Sequence, residues 1–163
     1  MRTLTLLLAT AALTAAAPAA EPKQPGGGDT VVYVSVAAEK RIAVYQMDRA
    51  TSKLTHRGDA KLDGEPGALA VDPGRRTLFA ALRAEGKLAS FRIDPSTGML
   101  THVSTVPAGP DPAHLSTDAA GRYLLAAYYV DAKVTVHAIG KNGTLGEKPL
   151  QSLPTADKGL GEK

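Results

Sequence analysis

Cysteine and tryptophan are absent from the 163-residue chain, and aromatic residues make up only 4% of it. Without cysteine there is no disulfide, thiolate metal site, cysteine nucleophile or lipidated cysteine. Neither charge sign dominates: 19 Lys and Arg stand against 16 Asp and Glu, for a net charge of +3. No basic stripe with interleaved aromatics occurs, so the sequence does not point to nucleic acid as a partner. No zinc-binding helix motif and no strained serine elbow is found. Gly26, Gly27 and Gly28 are not followed by the Gly-Lys-Ser/Thr of a phosphate loop. What is plentiful is glycine (16) and proline (11), in a chain that is 44% hydrophobic. That balance suits a globular core built from short strands and many turns better than a helical bundle.

The one long apolar stretch, residues 4–17, lies at the N-terminus behind Arg2 and ends in Ala17-Pro18-Ala19. A basic residue, an apolar run and an A-x-A site read as a secretory signal peptide over residues 1–19, cleaved after Ala19. The expected location is secreted or periplasmic, with no membrane span after cleavage. Residues 20–29 follow as a Pro/Gly linker with nothing to bury, and the folded part is expected at 30–155, before a terminal loop at 156–163.

The main signal is a repeat of 46 residues. Ile42 recurs as Leu88, Tyr45 as Phe91, Asp48 as Asp94 and Thr51 as Thr97. Leu54-Thr55-His56 recurs as Leu100-Thr101-His102, and Glu65-Pro66-Gly67-Ala68 as Asp111-Pro112-Ala113-His114. A third copy opens at Leu124. Repeats of this length suggest propellers, solenoids or helical arrays. Within the repeat, Val32, Val34 and Val36 alternate with Tyr33 and Ser35, and Ala89, Phe91 and Ile93 alternate with Leu88, Ser90 and Arg92. A period of two with β-branched residues marks strands. Turn residues separate them, as in Asp72-Pro73-Gly74-Arg75 and Lys141-Asn142-Gly143.

Strands are therefore expected at 31–36, 41–47 and 54–61, then at 67–72, 77–83, 87–93 and 99–106, and finally at 112–117, 122–129, 133–139 and 145–152. The units fall near 30–62, 67–106 and 112–152. Four antiparallel strands per unit, repeated radially, make a propeller blade. Ala68, Ala70, Ala80, Ala81, Ala126 and Ala127 suit the crowded axis, and the missing tryptophan argues against WD repeats. The expected fold is all-β: a β-propeller of four-stranded blades with about three of seven blades present. The first unit lacks an innermost strand, and three blades cannot close a ring. The expectation is a piece of a longer protein, whose missing blades are a partner to the ones here.

The stretch Pro112-Ala113-His114-Leu115-Ser116-Thr117-Asp118, with Gly121-Arg122 after it, resembles a pattern of the seven-bladed lactonase family. That family includes propeller-type bacterial 6-phosphogluconolactonase and fungal carboxy-muconate cyclase. The resemblance covers roughly residues 30–155. Arg83-Ala84-Glu85 sits where the bacterial enzyme carries an Arg and a Glu, and Tyr129 sits at the family's tyrosine. The residues around it, Ala127, Tyr128 and Val130, lack the family's frequent asparagine. The resemblance implies a lactone hydrolase acting on a small sugar lactone, without metal or other cofactor.

Hydrolysis of a lactone requires an activated water, a stabilised oxyanion and a grip on the rest of the substrate. His114 starts an inner strand and is the candidate for water activation or lactone contact. Its counterpart one repeat earlier is Ala68, so the repeat itself does not demand a histidine there. Arg83 is the candidate for an anionic substrate group, with Glu85 beside it, and both also suit an ordinary surface loop. Tyr129 is the candidate hydrogen-bond donor, the competing role being packing between blades. Asp131 fits a solvated turn better than an acid or base. His56 and His102 recur on outer strands and are expected as solvated edge residues, and His137, in the slot of Tyr45 and Phe91, as a packing residue. Asn142-Gly143-Thr144 fits a glycosylation sequon but is read as a hairpin turn. Two other readings stay open: a non-catalytic binding propeller, and a lactonising cyclase of the muconate type.

Overall fold

A computed structural model describes residues 30–155. The expected signal peptide, linker and terminal loop lie outside the described residues. Eleven strands form three antiparallel sheets among the described residues. The first sheet comprises β1 (Thr30–Val36), β2 (Arg41–Met47) and β3 (Leu54–Lys61). The second comprises β4 (Pro66–Val71), β5 (Thr77–Leu82), β6 (Lys87–Ile93) and β7 (Leu100–Pro107). The third comprises β8 (Pro112–Thr117), β9 (Tyr123–Tyr128), β10 (Lys133–Ala138) and β11 (Gln151–Pro154). Each sheet is a simple meander, in which every strand pairs with its neighbour in sequence. β4 touches both β1 and β8, so the sheets lie side by side with their inner strands together. These are the blades of a partial β-propeller.

β5 shows why the sheets stack. Its sequence, Thr77-Leu78-Phe79-Ala80-Ala81-Leu82, is buried throughout. Successive strand residues point to opposite faces. Leu78, Ala80 and Leu82 therefore join Ile42, Ala89 and Phe91 in the core against the first blade. Phe79 and Ala81 join Leu88, Leu115, Leu124, Ala126 and Tyr128 in the core against the third. A strand covered on both faces loses the apolar–polar alternation and reads as a continuous apolar run.

The turns at one end of the blades share a device. Asp72 Oδ1 accepts hydrogen bonds from the N–H groups of Arg76 and Thr77, each at 2.6 Å. Asp118 Oδ1 does the same with Arg122 (2.6 Å) and Tyr123 (2.8 Å). Asp48 holds Ala50 and Thr51, and Asp94 holds Ser96 and Thr97, in the adjoining turns. Such side-chain bonds to nearby backbone make these tight connections self-supporting.

One strand differs from the sequence expectation. The last strand of the third blade covers Gln151–Pro154, not 145–152. Leu145 is buried in the core shared with the second blade and forms only an isolated bridge with Ile139. Its N–H donates to Ser104 Oγ of that blade at 3.0 Å. Leu145 is thus held by the neighbouring sheet, and the outer edge resumes only after Pro149, which has no N–H to give a ladder.

Candidate functional site

The chain reaches the candidate residues at the end of the blades opposite the aspartate turns. Pro66 pairs with Leu82 and Pro112 with Tyr128. The β5–β6 turn (83–86) therefore sits beside the start of β4, and the β9–β10 turn (129–132) beside the start of β8. Both registers slip just inside that point, between Pro66 and Leu69 and between Pro112 and His114. Bulges of this kind re-aim side chains at the rim of a sheet.

Asp111, immediately before β8, is where the pieces meet. Its Oδ1 accepts a hydrogen bond of 2.6 Å from Arg83 Nε of the preceding blade. Its carbonyl oxygen accepts from the Tyr129 N–H at 3.4 Å. Asp111 has φ +53°, a left-handed conformation that aspartate tolerates better than most residues. It was not among the residues singled out from the sequence. The available signal was an acid before a proline at each inner-strand start, Glu65-Pro66 and Asp111-Pro112.

Arg83 is half exposed. Only its Nε is engaged among the described residues, so its terminal NH2 groups remain available to an anion. The Asp111 carboxylate raises the Arg83 pKa still further, so the guanidinium stays charged at any working pH. Glu85 has a different task. Both its carboxylate oxygens accept from the Glu65 N–H at 3.1 Å. A Cβ on Gly64 would lie 2.6 Å from the Glu85 Cδ, so that glycine makes room for it. Arg83 and Glu85 therefore do not pair with each other: Glu85 holds the approach to β4 and Arg83 reaches the approach to β8.

His114 is exposed on β8, the inner strand of its blade, and pairs with Ala127. Tyr129 lies just past β9, with 81% of its surface exposed. The packing role weighed for it falls instead to Tyr128, which is buried, with its hydroxyl 3.1 Å from Thr135 Oγ1. Asp131 pairs with Lys133 at 2.6 Å. The structure thus brings Arg83 and the Tyr129 backbone together on Asp111, with His114 on the strand that Asp111 leads into. Glu85 is bonded to the Glu65 N–H instead.

The other histidines are structural. His56 and His102 each pack edge-on against the aromatic of the neighbouring strand in their own blade, Tyr45 at 5.3 Å and Phe91 at 5.6 Å between centroids. Both remain exposed at the blade edge, as expected from the sequence. His137 is fully buried in the corresponding slot of the third blade, with Nε2 3.1 Å from Thr135 Oγ1 and Nδ1 3.4 Å from the Gly146 carbonyl oxygen. Burial lowers its pKa from the ordinary value.

The profile of the family described as "Lactonase, 7-bladed beta-propeller" matches residues 30–160. The chain belongs to the lactonase family. Among solved structures it is similar to a candidate 6-phosphogluconolactonase of Bacteroides fragilis, with TM-score 0.72 and 20% identity over 82% of this chain and 38% of that one. It is similar to the periplasmic gluconolactonase of Pseudomonas aeruginosa, with TM-score 0.67 and 24% identity over 74% of this chain and 36% of that one. A candidate 6-phosphogluconolactonase of Bacteroides uniformis gives TM-score 0.68 and 21% identity over 82% and 40% of the two chains. At these identities the likeness is one of fold. The chain spans well under half the length of each of these structures. No curated protein sequence matches it significantly.

Proposed function

We propose that this chain contributes its blades to a complete propeller that hydrolyses the ester bond of a sugar lactone. The observation that carries the reading is the convergence of Arg83 and Tyr129 on Asp111, at the start of the strand bearing His114. Membership of the lactonase family supports it, as do the lactonase names of the similar structures.

In this reading the ring of His114 takes a proton from the attacking water or contacts the lactone directly. Arg83 holds a phosphate or carboxylate of the substrate through its free NH2 groups, and the Tyr129 hydroxyl donates to the lactone oxygen as charge develops there. Water adds to the carbonyl carbon, the ring C–O bond breaks, and the leaving alkoxide takes up a proton to give the open hydroxy acid. Arg2, the apolar run at 4–17 and the Ala17-Pro18-Ala19 site support export before this work is done.

The test is turnover of gluconolactone and of a phosphorylated gluconolactone by the full-length protein, with H114A alongside. Loss of turnover in H114A, at unchanged folding, supports the role of His114. Wild-type rates in the variant remove His114 from the reaction, and no turnover of any lactone by the full-length protein removes the hydrolase reading. Sequencing the N-terminus of the exported protein tests the leader, with Ala20 as the expected first residue.

A further inference from the structure

A second cleft, of about 300 Å³, lies between the second and third blades at the end remote from His114. Arg76 and Arg92 from the second blade and Arg122 and Lys141 from the third line it. One acid, Asp72, lines it too. The Asp72 carboxylate is buried and turned inward onto the Arg76 and Thr77 N–H groups. Asp118 stands 3.6 Å from Arg122, an exposed and loose pair. Arg76, Arg92 and Lys141 have no ion-pair partner among the described residues. The acids of this region are therefore spent on backbone, and the cations are left facing solvent.

The cleft is also closely built. Gly143, with φ +80°, packs so tightly on the second blade that a Cβ there would stand 2.8 Å from Thr77 Cγ2. The turns of two blades thus place the four cations around one seam. A narrow cleft lined by one sign of charge concentrates counter-ions, and arginine forks match tetrahedral oxyanions.

We propose that this seam binds a compact multivalent oxyanion of the phosphate type, at a site separate from the candidate lactone site. The blade pair around Arg92 and Lys141 is the recognition element, and the volume suits a small phosphorylated molecule.

Calorimetric titration of the full chain with sodium tripolyphosphate tests this. The expected result is saturable binding at a single site that weakens as salt rises. R92Q/K141Q weakens it by about tenfold or more, since two unpaired charges are lost. K61Q/K87Q, at the other end of the blades, changes it by less than about twofold. Circular dichroism checks that both variants fold, and none of the four side chains makes a hydrogen bond to the backbone among the described residues. Equal loss in the two double variants would mean general charge attraction and overturn the site. So would the absence of saturable heat, or binding of dextran sulfate without tripolyphosphate.

Discussion

Arg83 of one blade donates through Nε to the Asp111 carboxylate of the next, at 2.6 Å. In the proposed lactone hydrolase, the cation that would hold the substrate is thereby aimed by a residue that need not touch substrate. In D111N the acceptor oxygen survives but its charge does not. We expect KM for a phosphorylated lactone to rise by about tenfold, the worth of roughly one charge-assisted hydrogen bond. Neutral gluconolactone should be turned over as before. Steady-state kinetics of the full-length protein with both substrates decide it, and equal effects on the two would show that Asp111 does more than aim Arg83.

The turn that carries Arg83 depends on Gly86. It has φ +61°, and its carbonyl accepts from Ala108 and Gly109. A Cβ at this position would lie 2.8 Å from the Gly109 oxygen. G86A should destabilise the protein by about 1–2 kcal/mol from the left-handed backbone alone. Urea unfolding measures the loss, and a neutral result would mean that the turn has another conformation open to it.

Much of the fold was legible because the repeat and the period of two agree: Ile42 and Leu88, or Tyr45 and Phe91, fall at matching points of matching strands. β11 was not. Leu145 answers to the apolar side of the preceding blade, a contact that no local pattern displays. In the site, His114 stood out because the repeat puts alanine in its place. Asp111 did not, since its importance comes from a partner 28 residues away in sequence. The choice between the two adjacent tyrosines could have been made from the sequence. Leu124, Ala126 and Tyr128 point into the core in alternation, which leaves Tyr129 beyond the end of the strand.

Phe79 fills the seam between the second and third blades while its neighbour Leu78 fills the seam with the first. F79A should cost about 3–5 kcal/mol, and L78A about 2–5 kcal/mol. Both losses should appear as lower midpoints in a single denaturation transition. A small loss in either would mean that the cavity collapses easily or that its seam is loosely packed.

His137 makes stability depend on pH. Its folded-state pKa lies below the ordinary 6.5, because burial disfavours the imidazolium. As pH falls below that ordinary value the unfolded chain takes up a proton that the folded chain resists, so stability declines until the folded pKa is also passed. H137F puts in this slot the residue type that Phe91 supplies one blade earlier, and should flatten the decline between pH 7 and 5. Urea midpoints across that range test it. A wild-type midpoint that does not move would exclude His137 as the cause.

The aspartate turns set a different limit. Hydrogen bonds from Ser96 and Thr97 bring the Asp94 pKa down to about 2, and backbone N–H donors lower those of Asp48 and Asp118. What these carboxylates contribute is complete above the usual aspartate value, near 3.8, and disappears only as each is finally protonated. Acidification should therefore damage the molecule in sequence. The burial of an imidazole in place of a benzene ring weakens the whole fold first, in mildly acidic solution, while the hairpin corners lose their contribution only when the medium is strongly acid.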